Sequence, residues 1–192
     1  MDPRDARALH ELVDLLDAVG VRYSIGGSIA ASYFGEPRST VDVDLLVDLG
    51  GDSAEELVAA LSPAFYVDEE LASVAIERHG CFQALHLKSY TKFDLFVAGD
   101  SELDREELET RVLQPLEDGT DREVHVASPE TIVLRKLDWF RRGDCVSDQQ
   151  WRDVLGVLKR QGAALDLARM RALADRAALS DLLQRALAEA AP

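Results

Sequence analysis

The sequence predicts a mixed α/β fold with a C-terminal helical extension, and three observations carry that reading. Segments 41–47, 82–89 and 91–98 alternate apolar and polar side chains with the period of two that marks strands. Segments of helical period are interleaved with them, beginning at residues 4–19. Beyond residue 127 only helical periodicity remains. The chain of 192 residues holds no internal repeat and no Pro/Gly/Ser-rich linker. The expected organisation is therefore a sheet-bearing core over 1–127, with a helical region, 128–192, packed on it.

Each element has a local reason. Ala8, Leu9, Leu12, Val13, Leu15, Leu16 and Val19 form the apolar stripe of an opening helix, and Gly20 caps its end. Val21–Ile25 reads as a short strand, Gly26-Gly27 turns the chain, and a small-residue helix runs to Phe34 before Gly35-Glu36-Pro37 breaks it. After a strand over 41–47 and a Gly50-Gly51-Asp52 turn, Ser53 caps a helix over 54–61 that Pro63 stops. Residues 65–67 are extended, and Asp68 caps a helix reaching about Arg78. The alternating runs on either side of Ser89-Tyr90 predict an antiparallel hairpin. Residues 101–110 are helical or looped, and 111–116 and 123–127 form a second hairpin around Asp118-Gly119-Thr120. Ser128-Pro129-Glu130 starts a helix that ends at Gly143, and Ser147-x-x-Gln150 has the form of a capping box for a helix to Gly162. Two short Leu/Ala helices follow, divided near Leu179-Ser180. Trp139 and Trp151 fall on apolar helical faces and are expected in the core.

Composition narrows the function. With 36 acidic against 21 basic residues the formal charge is −15, a field that repels phosphate backbones. No extended nucleic-acid surface is expected, although Arg38, Lys88, Lys92 and Lys136 offer a local basic groove. The two cysteines are too few for a disulfide framework, and Cys81 reads as a small core residue. His86 and His125 lie in alternating segments without partners at metal spacing, so they read as sheet-face residues. An acidic N-terminus and the lack of any apolar run near 20 residues point to a cytoplasmic protein without membrane contact.

The chemistry concentrates in Ile25–Val47. Gly26, Gly27 and Ser28 follow a strand and open a helix, so backbone N–H groups and the Ser28 hydroxyl are placed to take an anion. Asp42 and Asp44, two residues apart on a strand, share one face and make a cation site. An acidic edge on a solvent-facing strand is the plainer alternative for this pair.

This order of strand, Gly-Ser turn, helix and Asp-x-Asp strand, followed by Asp94 in Lys92-Phe93-Asp94-Leu95-Phe96, resembles the nucleotidyltransferase superfamily over residues 21–97. The resemblance implies a nucleotidyltransferase-type mixed sheet flanked by helices, acting on a nucleoside triphosphate with two Mg²⁺ ions, or Mn²⁺ in their place. It further implies that Asp42, Asp44 and Asp94 are metal ligands and catalytic residues, with Asp94 also helping to deprotonate the acceptor hydroxyl. Such charge neutralisation is what an anionic nucleophile needs in order to approach an anionic phosphate. Lys92 pairing with Asp94 is the bland alternative for that aspartate.

Arg38-Ser39-Thr40 before the aspartates resembles the signature of the AbiEii-type branch, as does the helical Lys136. By that resemblance Gly26, Gly27, Ser28, Arg38, Thr40 and Lys136 contact the nucleotide. A surface arginine beside Glu36 and a solvated helical lysine are the alternatives. In that branch a Lys-Asp pair and a second aspartate follow; Asp148 and Asp153 are present here, but Ser147 replaces the lysine. The acceptor stays open among a protein, a tRNA end and a small molecule. A toxin–antitoxin or defence setting with a cognate partner protein is implied alongside, either for the enzyme or for a non-catalytic binding module.

Overall fold

Alternation along the aspartate strand decides the architecture: Val43, Leu45 and Val47 are buried on one side, and Asp42 and Asp44 project from the other. The computed structural model describes residues 3–40, 42–50, 53–115 and 122–191. Its strands are β1 (Arg22–Ile25), β2 (Asp42–Asp48), β3 (Phe65–Val67), β4 (Cys81–His86), β5 (Lys92–Val97), β6 (Val112–Pro115) and β7 (Glu123–Val126). They form one mixed sheet of order β3-β4-β5-β2-β1-β7-β6, which puts the aspartate strand at its centre. β2 runs parallel to β5, with Asp42 opposite Lys92 and Asp44 opposite Asp94. β1 lies antiparallel on the other side of β2, so the glycine turn after Ile25 emerges beside the start of the aspartate strand.

Among the described residues the α-helices are α1 (Pro3–Ala18), α2 (Gly27–Phe34), α3 (Ser53–Leu61), α4 (Glu69–Glu77), α5 (Glu102–Thr110), α6 (Pro129–Arg142), α7 (Asp148–Gln161), α8 (Leu167–Arg176) and α9 (Ser180–Ala190). α1 covers one sheet face, where the buried His86 meets Glu11 at 3.2 Å and Thr91 donates to Asp5 at 2.6 Å. α2, α5 and α6 stand over the other face and wall the site. One apolar cluster runs from Leu9 and Leu12 through Leu45 and Leu95 to Leu134, Val154 and Leu173, so α6 to α8 share the core of the sheet. No described helix is long and apolar enough to cross a membrane.

Three of the expected caps form: Asp68 accepts from the Leu71 N–H, Ser128 from Thr131 and Ser147 from Gln150; the Ser53 side chain lies outside the described residues. The capping box at α7 closes in one direction only, because Gln150 Oε1 has no partner among the described residues. Both hairpins pair as expected, β4 with β5 and β6 with β7. The turn at Asp118-Gly119-Thr120, like Val41 and Gly51-Asp52, lies outside the described residues.

Two core expectations fail. Trp139 is 48% exposed because it lies on the α6 face that looks onto the cavity, edge-on to Phe96 at 5.7 Å. Cys81 is exposed because it begins β4 on the aspartate side of the sheet, opposite Phe96. Trp151 is buried as expected; its indole N–H donates to Glu189 at 3.0 Å and ties α9 to α7.

Candidate active site

The glycine turn and Asp44 are built around each other. The Gly26 N–H donates to the Asp44 carbonyl at 2.9 Å, and the Ser28 N–H hydrogen-bonds the Asp44 carboxylate. Gly27 has φ +54°, and a Cβ added there would sit 1.8 Å from Asp44 Oδ2. Only glycine supplies both that conformation and that space. In this state the start of α2, read from sequence as an anion cradle, faces the chain's own carboxylate. Burial pushes the Asp44 carboxyl above its usual range, and the nearby Asp94 and Asp42 charges add to the rise, against Lys136 and the Ser28 N–H.

Asp94 is the register partner of Asp44 on β5, and its Oδ1 is buried without a hydrogen-bond partner among the described residues. Its Oδ2 lies 3.2 Å from Lys92 Nζ, which is also 3.1 Å from Asp42 Oδ1. Lys92 thus bridges the two aspartates, as the alternative reading of Asp94 anticipates for one of them. Among the described residues no three acidic, imidazole or thiol groups are gathered as a metal-binding cluster. The local reason is that Asp42 and Asp94 close on the ammonium while Asp44 turns to the glycine turn. The donor set still fits a hard divalent ion: three carboxylates project from neighbouring strands and one buried oxygen has no partner among the described residues.

A second cluster lies on the other side of the turn. Arg38 donates from Nε and Nη2 to the two Asp153 oxygens, each at 3.2 Å, and also from Nη2 to the Ser28 hydroxyl. Lys136 donates to Asp153 Oδ2 at 2.8 Å, and Gln149 donates to Oδ1 at 2.9 Å. Burial alone would raise the Asp153 carboxyl, but the hydrogen bonds and charges of Arg38 and Lys136 outweigh it and hold the group below its ordinary range. Asp153 therefore stays ionised and fixes two cations beside Ser28. Lys136 is only 4% exposed, so it is no solvated surface lysine. Thr40 is placed differently: its hydroxyl donates to the Asp42 carbonyl at 3.1 Å.

A cavity of about 590 Å³ opens at the glycine turn, and Arg38, Asp42, Lys92, Asp94 and Asp153 are not among its lining residues. Gly26, Gly27, Ser28, Asp44 and Lys136 line it, together with His79, Cys81, Phe96, Trp139 and Arg142. Partial burial together with the negative charges of Asp94 and Asp44 pushes the Cys81 thiol up to about 11, so it is protonated at neutral pH and no nucleophile. Asp104, Glu107 and Arg135, which sequence reasoning did not single out, add a buried network: Arg135 Nε donates to Glu107 at 2.6 Å, and its Nη2 pairs with Asp104. Nothing local in the sequence shows that α5 carries the partners of Arg135 while α7 carries that of its neighbour Lys136. The local basic groove is not formed as expected. Arg38 and Lys136 converge on Asp153, Lys92 sits between two aspartates, and Lys88 lies in the β4–β5 turn.

No protein-family model and no curated protein matches the sequence. Solved structures do match in shape. The solution structure of the antibiotic-resistance factor ANT(2'')-Ia is 20% identical, covers 96% of this chain and 98% of its own, and superposes with a TM-score of 0.60. The crystal structure of ANT(2'')-Ia in complex with adenylyl-2''-tobramycin is likewise 20% identical, with coverage of 92% and 97% and a TM-score of 0.57. An antigenic nucleotidyltransferase-like protein from Paracoccidioides brasiliensis is 18% identical, with coverage of 90% and 86% and a TM-score of 0.52. The fold of this chain is the nucleotidyltransferase fold.

Proposed function

We propose that the protein is a nucleotidyltransferase that moves a nucleoside monophosphate from a nucleoside triphosphate to a hydroxyl of a small-molecule acceptor. The observation that carries this reading is the interlock of the Gly26–Ser28 turn with Asp44, in one cavity with Lys136 and one strand from Asp94. In this reading Asp42, Asp44 and Asp94 hold two Mg²⁺ ions, or Mn²⁺, whose charge offsets that of the triphosphate and of the attacking oxygen. The Ser28 hydroxyl, Arg38 and Lys136 bind phosphate oxygens; a guanidinium matches two of them at once. Asp153 keeps both cations aimed at the turn. Asp94 helps take the proton of the acceptor hydroxyl as its oxygen bonds to the α-phosphorus. The bond from that phosphorus to the β-phosphate oxygen breaks, and pyrophosphate leaves.

A cavity of about 590 Å³ has the size of a small-molecule site. The net charge of −15 and the pairing of Arg38, Lys92 and Lys136 with aspartates count against an RNA acceptor. The ANT(2'')-Ia complex with adenylyl-2''-tobramycin supports, through the shared fold, a hydroxyl-bearing small molecule. The test is transfer itself. Purified protein with α-labelled triphosphates, Mg²⁺ and a panel of aminoglycosides, lincosamides, tRNA and proteins should label a small molecule and release pyrophosphate. Labelling of tRNA or protein alone would overturn the acceptor class, and no labelling of anything would overturn the enzymatic reading.

A further inference from the structure

We infer that Lys92 is a built-in cation that occupies the gap between Asp42 and Asp94, must withdraw before a divalent ion enters, and so sets the metal affinity of the site. The inference rests on the proposed metal site, but it concerns a residue that the proposed reaction leaves idle. Its Nζ stands 3.1 Å from Asp42 Oδ1 and 3.2 Å from Asp94 Oδ2, contacting one carboxylate on each of two parallel strands. The backbone favours this pairing: Lys92 is directly opposite Asp42 in the β2–β5 register, and Asp94 lies two residues on along the same face. The buried Asp94 Oδ1 meanwhile has no partner among the described residues, so the aspartate retains coordinating capacity that the ammonium does not use.

The consequence is electrostatic. Asp42 and Asp94 face each other across Lys92 on neighbouring strands, with Asp44 opposite Asp94 in the register, and without an ion the repulsion among these charges needs an offset, which Lys92 supplies. An entering divalent ion takes over that role, and a monovalent cation left beside it repels it. Withdrawal is sterically simple, since the Lys92 side chain is one-third exposed and ends on a flexible stem. The nucleotide-free site should then bind metal weakly, and binding should strengthen when a triphosphate brings its own negative charge.

A merely structural lysine and a competing one predict opposite signs. If Lys92 only held β2 and β5 together, removing it would loosen the carboxylates and weaken metal binding. If it competes, removal strengthens binding. The experiment is a Mn²⁺ titration followed by electron paramagnetic resonance, without nucleotide, on wild type, Lys92→Gln, Lys92→Arg and Asp94→Asn, with circular dichroism to confirm folding. Lys92→Gln should bind Mn²⁺ at least about tenfold more tightly than wild type. Lys92→Arg, which keeps the charge, should remain close to wild type and stands in as the charge control if Lys92→Gln folds poorly. The variant should also be less stable than wild type in EDTA and gain more from Mn²⁺. Equal or weaker Mn²⁺ binding by folded Lys92→Gln, with binding still lost in Asp94→Asn, would overturn the role of Lys92 and leave the metal site standing. The same holds if Lys92→Gln is unfolded and Lys92→Arg binds tenfold more tightly than wild type. Absence of Mn²⁺ binding in wild type and Lys92→Gln alike would overturn both.

Discussion

Asp44→Asn will lower nucleotidyl transfer by about a thousandfold or more while making the nucleotide-free protein more stable. The loss follows from removing a charge that the reaction needs beside the glycine turn and Lys136, opposite Asp94 on the neighbouring strand. The gain follows from the raised pKa of the same carboxyl, whose charged form is penalised by burial and by Asp94 and Asp42. A group with a raised folded pKa destabilises the fold at pH above that value, and the penalty vanishes once the carboxyl is protonated in both folded and unfolded states. The variant should therefore melt roughly 2–4 °C above wild type at pH 7, and the difference should close below about pH 4. Asparagine keeps an oxygen to accept from the Ser28 N–H, so the turn is not left unsatisfied. Thermal melts across that pH range, beside the transfer assay, separate the two effects. A variant that is both inactive and less stable would mean that Asp44 is chiefly a structural residue.

Gly27→Ala will abolish most transfer activity, and Gly20→Ala will not, although both lose some stability. Both glycines have positive φ, +54° and +69°, so both substitutions carry a conformational cost of about 1–2 kcal/mol. At Gly20 a new Cβ meets nothing within 4 Å. At Gly27 it would meet Asp44 Oδ2 at 1.8 Å and Asp44 Cγ at 2.6 Å, so the carboxylate must swing away from the turn. A displacement of that size costs on the order of a hundredfold in rate. The expected outcome is a modest loss of melting temperature in both variants, with loss of transfer only in Gly27→Ala. Equal activity in the two would show that the contact between turn and carboxylate has no catalytic consequence.

Much of this site is legible in the sequence because its parts are local. A double glycine after a strand, an aspartate pair two residues apart, and serine or aspartate caps at 68, 128 and 147 each report on their own few residues. The register of Asp44 against Asp94 joins residues fifty apart, and no local periodicity states that β2 and β5 are parallel neighbours; there the resemblance to a known superfamily supplied what spacing could not. The partners of the charges were the least readable. Asp153 lies in a stretch where the sequence shows only its presence, yet it binds Arg38 across 115 positions and Lys136 across 17. Glu107 and Asp104 look like ordinary solvated acids of an acidic helix until α6 brings Arg135 to them. Trp139 illustrates the converse error: an aromatic residue on an apolar helix face implies burial only if that face is covered, and here it borders a cavity.

The placement of a triphosphate and its metal at the Gly26–Ser28 turn is tested most directly by calorimetric titration with a non-hydrolysable nucleoside triphosphate, in Mg²⁺ and again in EDTA. Wild type should bind in Mg²⁺ and lose most of its affinity in EDTA, and Asp44→Asn should bind weakly in both. Binding that is indifferent to Mg²⁺ and to Asp44, or no binding in Mg²⁺ at all, would contradict the assignment.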